Sequence, residues 1–366
     1  MVKFILSLTA AETVLRLLKL LFFLYIANIF GAENLGRYSY FTSVFAIIFV
    51  LSDFGITKNI TLQLLKKRDV LSSAWLRIAL FILFSLFFIT ESLAFFVFML
   101  FLGDVLFELV YAVLRAKEKF FKESFIKLLI SFIYLGVIAI SYLFHLGLEE
   151  IFFLLSFSLF SLSLYHFLKH YKTIPGIKDI KVNWYIYIAL LMTIVYFKAD
   201  IIIIKHFFDY KTTGIYSSSM KIIEIATVIT SIAGTVMLPK LVKRKAYFKE
   251  NLLLALFLTL LFFFLSPFIL KLLFPKFYIQ GAHLVQILSL ALFPIVLNNY
   301  FFTLFLAKNK ELFYAAVTSF MALSNLFGNI VAAKYGVEYI AAVSVATEMI
   351  GAAAAFYLYL SKGKRW

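Results

Sequence analysis

Stretches of about 20 mostly apolar residues follow one another along the 366-residue chain, parted only by short polar breaks. A helix of that length rises about 30 Å, the thickness of a bilayer's hydrocarbon core. Such windows fall near 8–30, 38–58, 73–90, 93–115, 123–144, 149–168, 184–206, 213–238, 249–273, 282–306, 311–333 and 337–361. In lipid each segment must satisfy its own backbone polar groups, so these windows predict helices. The weakest break is Thr90-Glu91-Ser92, where a long apolar run has to turn back. Composition agrees: 64% of residues are apolar and 15% charged. Soluble domains run at about 45–50% and about 25%, and a core of this size cannot bury the difference. A soluble enzyme, a disordered chain, collagen and coiled coil are excluded. The expected fold class is an all-α polytopic membrane protein with about twelve transmembrane helices.

Lys and Arg number 35 against 19 Asp and Glu, a formal charge of +16. In a membrane chain this excess points to cytoplasmic loops and not to nucleic acid. With both termini placed inside, the inner segments hold 23 basic residues and the outer loops four, Arg37, Lys211, Lys276 and Lys334. That asymmetry predicts a multi-pass protein of the cell membrane with both termini cytoplasmic, and it supports an even number of spans. No loop exceeds about 15 residues, too little for a soluble catalytic domain. Function is therefore placed within the bundle, and transport is expected instead of enzymatic chemistry. The chain has no Cys, and its five His lack ligand spacing, so no metal or cofactor is expected. Its opening, Met1-Val-Lys-Phe-Ile-Leu, has no small-residue cleavage site and reads as retained chain.

Two hairpins match at one offset. Phe30, Gly36, Tyr38 and Ser39 recur as Phe208, Gly214, Tyr216 and Ser217, each 178 residues on. Both sets follow the first helix of a six-helix half. Six is even, so the halves enter the membrane in the same direction, and parallel repeats of this kind place substrate between them. The expected organisation is a lobe at 1–170, a cytoplasmic linker at 171–183 around Pro175-Gly176, and a lobe at 184–366, with a central cavity. Gly36 and Gly214 are expected to allow tight turns, although well-formed hairpins alone would explain the match.

Ionisable groups inside these windows are costly, about 2.5–3.5 kcal/mol each at mid-bilayer. Glu12, Arg16 and Lys19 share one face of the first helix. Glu12 can pair with Arg16, which leaves a net cationic stripe suited to an anion. Lys198 and Asp200 in the seventh helix point to opposite sides, whereas Lys221 and Glu224 can pair along the eighth. Arg16, Lys19, Lys198 and Lys221 are the candidate anion-binding set, with Glu12, Asp200 and Glu224 as charge partners. Asp104 and Glu108 repel across one turn, a strain that a proton or sodium ion would relieve. With Asp53 they are candidates for ion coupling. Asp104 and Glu348 read equally well as hydrogen-bonding groups between helices. Arg77 and Lys127 are expected to snorkel to the inner surface, and Lys205 and Lys271 to the outer. Pro267 and Pro294 should bend their helices. Asn298, Asn299, Asn325 and Asn329 suit polar contacts that packing explains as well as transport does.

Several patterns, in order, resemble the Wzx-type polysaccharide-biosynthesis flippases, in the superfamily that also holds multidrug and toxin exporters. They are Ile29-Phe-Gly-Ala-Glu-Asn-Leu-Gly-Arg-Tyr-Ser39, Leu51-Ser-Asp-Phe-Gly-Ile56, Lys198-Ala-Asp200, Thr213-Gly-Ile-Tyr-Ser217 with Pro239, Lys334-Tyr-Gly336, and Ala341-Ala342 through Glu348. Each is loose; order and spacing carry the resemblance over nearly the whole chain. It implies two six-helix lobes and a cargo of oligosaccharide on polyprenyl diphosphate, moved from the cytoplasmic to the outer leaflet by alternating access. It also implies a monomer in the membrane lipid, working beside polysaccharide assembly proteins. Arg16, Lys19, Lys198 and Lys221 suit phosphate oxygens. Three of these four are Lys, which clamp less well than Arg, and the chain is short for the family. The phosphate-binding motif G-x-x-x-x-G-K is absent, which leaves an ion gradient, the membrane potential or substrate supply as drive. The alternatives are a cation-coupled multidrug exporter, which would want an acidic cavity, and a membrane glycosyltransferase or polymerase, which would need a large loop with paired carboxylates. Flippases of peptidoglycan precursor usually have two more helices.

Overall fold

The structure, a computed structural model, describes residues 2–57, 60, 64, 71–171, 183–242 and 248–362. Among the described residues all regular structure is helical. The run Val2–Leu51 is broken at Gly31, whose φ of 78° lies where only glycine is unstrained. It yields α1 (2–30) and α2 (32–51). There follow α3 (Leu71–Ser85) with a short 3-10 turn, α4 (Ser92–Ala116), α5 (Phe120–Phe144), α6 (Leu148–His170), α7 (Trp184–Phe207) and α8 (Tyr210–Val242). The last five are α9 (Phe248–Leu273), α10 (Ala282–Ser289), α11 (Leu292–Ala307), α12 (Glu311–Ala332) and α13 (Val337–Lys362).

Eight described helical runs are long and apolar enough to cross a membrane, with 7–51 taken as one, and the bent pair Lys276–Ser289 and Leu292–Ala307 makes a ninth. The division at Gly31, the 15-residue α3 and α8 account for the remaining apolar windows. Large apolar side chains face outward along the bundle, among them Phe87, Phe144, Phe264 and Leu272. Water would not tolerate so much exposed apolar surface; lipid does. The chain is an all-α multi-pass membrane protein.

The tenth window breaks earlier than its proline. Pro294 sits in the first turn of α11, where its missing N–H is no loss. Lacking that N–H, it cannot bond the carbonyl of Leu290. The helix yields there, with the amides of Leu290 and Ala291 reaching back only three residues, to Ile287 and Leu288. The two segments bend by 44°. Pro267, by contrast, lies inside the continuous α9.

The chain divides into two compact units. One holds α1, the part of α2 from Val44 onward, and α3 to α6. Its central helix is α4, buried on nearly every side from Val105 to Leu114 and packed most extensively on α6. Phe22 of α1 meets Tyr134 of α5 and Phe152 of α6 edge-on. The other unit holds Ala32–Ser43 and α7 to α13. There α12 packs on α7 and α13, around Tyr196, Tyr300, Phe301, Phe305 and Met321. Apart from its two end residues, the expected linker at 171–183 lies outside the described residues.

The repeat glycines are used differently from the expectation. The turn is made by Gly31, while Gly36 and Gly214 lie inside α2 and α8. A Cβ on Gly36 would collide with the Tyr210 carbonyl oxygen and stand 2.9 Å from the Gly214 nitrogen. A Cβ on Gly214 would collide with the Ala32 carbonyl oxygen and stand 3.1 Å from the Gly36 nitrogen. Ala32 and Tyr210 share the 178-residue offset, so this crossing within the second unit pairs each repeat copy with the other. Asp209 caps α8: the Thr212 amide donates to its Oδ1 at 2.7 Å. That bond holds the Asp209 carboxyl below its usual range.

Candidate functional site

In the first unit, Arg16 Nε donates to Glu12 Oε1 at 3.0 Å, the pairing its spacing predicts. Glu12 has a second partner, Lys127 Nζ of α5, on Oε2 at 2.9 Å. Lys127 therefore does not snorkel. Its side chain is 8% exposed and also lies 3.2 Å from the fully buried Glu123, which Arg115 binds from α4 at 2.5 Å. The result is an alternating row, Arg115, Glu123, Lys127, Glu12, Arg16, that ends at the half-exposed Arg16. Lys19 Nζ stands 3.8 Å from Asp104 Oδ2 and 5.9 Å from the Tyr134 ring centre. The stripe on α1 is thus compensated by carboxylates and is not a bare cationic face.

Arg77 also departs from the snorkelling expectation. It is fully buried, with Nη1 3.2 Å from Asp53 and Nη2 2.9 Å from Glu108. It also hydrogen-bonds the Thr57 hydroxyl and lies over the Phe49 ring. Asp53 accepts the Gly55 and Thr57 amides at 3.1 Å each, which fixes the turn after α2. The three carboxylates put forward for ion coupling, Asp53, Asp104 and Glu108, therefore each have a cation already. Two different cations, Lys19 and Arg77, relieve the Asp104–Glu108 repulsion.

The second unit is arranged differently. Lys221 Nζ lies 2.7 Å from Glu224 Oε2, one turn along α8, and Lys198 Nζ of α7 reaches Oε1 at 3.5 Å. Two ammonium groups converge on one carboxylate. As its spacing predicts, Asp200 faces away from Lys198. It is buried and accepts hydrogen bonds from Tyr216 Oη at 2.8 Å, Ser344 Oγ at 2.6 Å and Asn329 Nδ2 at 2.6 Å. These donors come from α8, α13 and α12. One turn along α13, Glu348 accepts from Asn298 Nδ2 of α11 at 2.6 Å. Tyr196 Oη donates to the Ser344 carbonyl at 3.0 Å, which links the two acids. Among the described residues no basic side chain pairs with Asp200 or Glu348. Asn299 binds Thr230 instead. Lys205 rests over the rings of Tyr40 and Tyr210, 5.0 and 5.5 Å from their centres.

No protein-family model matches the chain, and no curated protein matches its sequence. Solved structures do match. An inward-facing multidrug resistance MATE family transporter of the MOP superfamily superposes with a TM-score of 0.70 over 95% of this chain and 94% of its own, at 12% identity. The lipid II flippase MurJ, in an inward closed conformation, gives 0.68 over 96% of this chain and 86% of its own, at 16% identity. A MOP superfamily transporter from Pyrococcus furiosus, described as having a binding pocket of reverse polarity, gives 0.63 over 98% and 94%, at 15% identity.

The chain has the fold of the MOP superfamily transporters. On that fold the sequence-derived set divides in two. Lys198, Lys221 and Glu224 meet in one cluster, and Arg16 and Glu12 in another, while Lys19 pairs elsewhere. The sequence reading missed the role of Asp200, a buried acid with neutral partners, and it missed Lys127 as the second partner of Glu12. A signal for Asp200 was available: Asn325, Asn329 and Ser344 recur at helical spacing on two late helices, a polar face with no other use.

Proposed function

We propose that this chain is a MOP-superfamily flippase that carries a polyprenyl-diphosphate-linked oligosaccharide from the cytoplasmic to the outer leaflet of the cell membrane. In this reading two six-helix lobes, 1–170 and 184–366, joined by a cytoplasmic linker at 171–183, alternate access to a central cavity. The protein works as a monomer with both termini cytoplasmic, beside polysaccharide assembly proteins. Arg16, Lys19, Lys198 and Lys221 receive the diphosphate and its sugar.

The observation that carries the reading is the Lys198–Glu224–Lys221 cluster. A cation inside an apolar bundle is retained for a purpose. Two ammonium groups gather at one carboxylate in this cluster, and charge-assisted bonds to phosphate oxygens are strongest where water is scarce. The fold shared with a lipid II flippase fits a lipid-linked cargo. No covalent chemistry is required of the protein. Ion coupling falls to Asp200, with Glu348 beside it, because Asp53, Asp104 and Glu108 already have cations. A proton or sodium ion would neutralise Asp200, which no basic side chain among the described residues does.

That same pair of acids favours a second reading, a cation-coupled exporter like the MATE neighbour. Transfer of labelled lipid-linked sugar in reconstituted vesicles separates the two. R16Q and K198Q should slow transfer at normal protein level, and undiminished transfer would refute the assignment. Strong efflux of cationic dyes on expression would favour the exporter.

A further inference from the structure

We propose that Glu12 and Glu224 are resident counter-ions, displaced by the phosphate groups of the cargo as it binds and restored as it leaves. The proposal rests on the reading of Arg16, Lys198 and Lys221 as cargo-binding residues.

Each carboxylate divides its two oxygens between two cations from two helices. Glu12 gives Oε1 to Arg16 at 3.0 Å and Oε2 to Lys127 at 2.9 Å. Glu224 gives Oε2 to Lys221 at 2.7 Å and Oε1 to Lys198 at 3.5 Å. The Glu12 and Glu224 side chains are 36% and 43% exposed, open to an incoming anion, and breaking a lone ion pair there would strand the partner's charge. A carboxylate shared in this way avoids that cost: one cation can leave for a phosphate oxygen while the other keeps the carboxylate neutralised.

The geometry also tells which cation leaves. Lys127 is buried and is held by Glu123 as well, whereas Arg16 is 54% exposed. Arg16 is the mobile member of the first trio, and Lys127 positions Glu12. In the second trio the long contact belongs to Lys198, which spans from α7 to α8, while Lys221 is fixed one turn along the same helix as Glu224. Lys198 is the mobile member there. The trios are not copies of one another, since the 178-residue offset carries Glu12 onto Leu190. Each trio lies within its own unit.

A resident counter-ion weakens binding and speeds release. It lets the unloaded protein return without exposing naked cations to lipid. Removal of the carboxylate should therefore tighten cargo binding and slow turnover together, which loss of a merely structural pair would not do.

The test is the initial rate of leaflet transfer, against concentration, of a fluorescent polyprenyl-diphosphate N-acetylhexosamine in phosphatidylethanolamine–phosphatidylglycerol vesicles. In E12Q and E224Q the half-saturating concentration should fall about tenfold, the scale of one charge-assisted bond, and the maximal rate should fall by a similar factor. E12D and E224D should restore both. K127Q should act in the opposite sense on half-saturation, because Arg16 then has Glu12 to itself. That opposite shift serves as the test if the glutamine variants of the acids do not fold. Wild-type transfer with half-saturation unchanged in E12Q, E224Q and K127Q overturns the counter-ion proposal alone. No transfer by the wild type overturns the flippase reading and this proposal with it.

Discussion

Gly36→Ala should be costly out of proportion to one methyl group. The added Cβ would meet the Tyr210 carbonyl carbon at 2.7 Å and the Gly214 nitrogen at 2.9 Å, besides colliding with the Tyr210 oxygen. All three are backbone atoms, so no rotamer change relieves the clash. Ordinary contact needs about 3.5–4.0 Å between carbon atoms, so α2 and α8 must part by roughly an ångström at the crossing. Overpacking of this kind costs about 1–3 kcal/mol, and a backbone clash belongs at the upper end. Gly214→Ala meets the mirror-related atoms, the Ala32 carbonyl group and the Gly36 nitrogen, and should cost the same. Once the helices have parted for one methyl, the second finds room already made. The double variant should therefore fall well short of the sum, with a coupling energy of about 1–2 kcal/mol. In melts of the detergent-purified protein, each single variant should lower the midpoint by about 5–10 °C, given about 2–4 °C per kcal/mol for units of this size. The double should lie within a few degrees of the singles. Singles that melt with the wild type, or a double that is strictly additive, would refute the claim that the repeat glycines serve close approach.

Arg77→Met strands Asp53 and Glu108 in the first unit, so melting should show a loss of about 3–5 kcal/mol; the triple variant with Asp53→Asn and Glu108→Gln should recover most of it. Asp209→Ala removes the cap of α8 and should cost about 1 kcal/mol. The Asp209 carboxyl is held below its usual range by the Thr212 amide, so the stability it contributes is complete above the ordinary Asp range and is lost as pH falls through the lowered folded value. An acid titration of the melt should show that loss in the wild type and its absence in the alanine variant. Asp200→Asn should abolish the response of transfer to an imposed proton or sodium gradient while leaving gradient-free exchange measurable. A gradient response that survives would remove Asp200 from the coupling role.

The helices were legible because lipid leaves the backbone one inexpensive solution, so apolar length alone marks them. What turns on distant contact was not. Arg77 lies midway along the short α3 and Lys127 about two turns into α5, places from which a long basic side chain in isolation would reach for the surface. Glu108 and Glu12, 31 and 115 residues away, hold them inside instead. Spacing along one helix identified the Glu12–Arg16 and Lys221–Glu224 pairs, because those partners are neighbours on the same face. It could not show that each carboxylate has a second cation. The hairpin glycine was misplaced by five residues for a related reason. Gly31 and Gly36 look alike in sequence, and only the path of α8 distinguishes a glycine needed for its φ from one needed for its missing Cβ.

The most direct test of the central claim varies the cargo and leaves the protein intact. Two lipids with the same sugar and the same polyprenyl chain, one joined through a diphosphate and one through an uncharged linker, should be offered to wild-type vesicles side by side. The account expects the diphosphate lipid to cross at least about tenfold faster, the factor that one charge-assisted phosphate contact supplies. Equal rates, or faster passage of the neutral lipid, would contradict it.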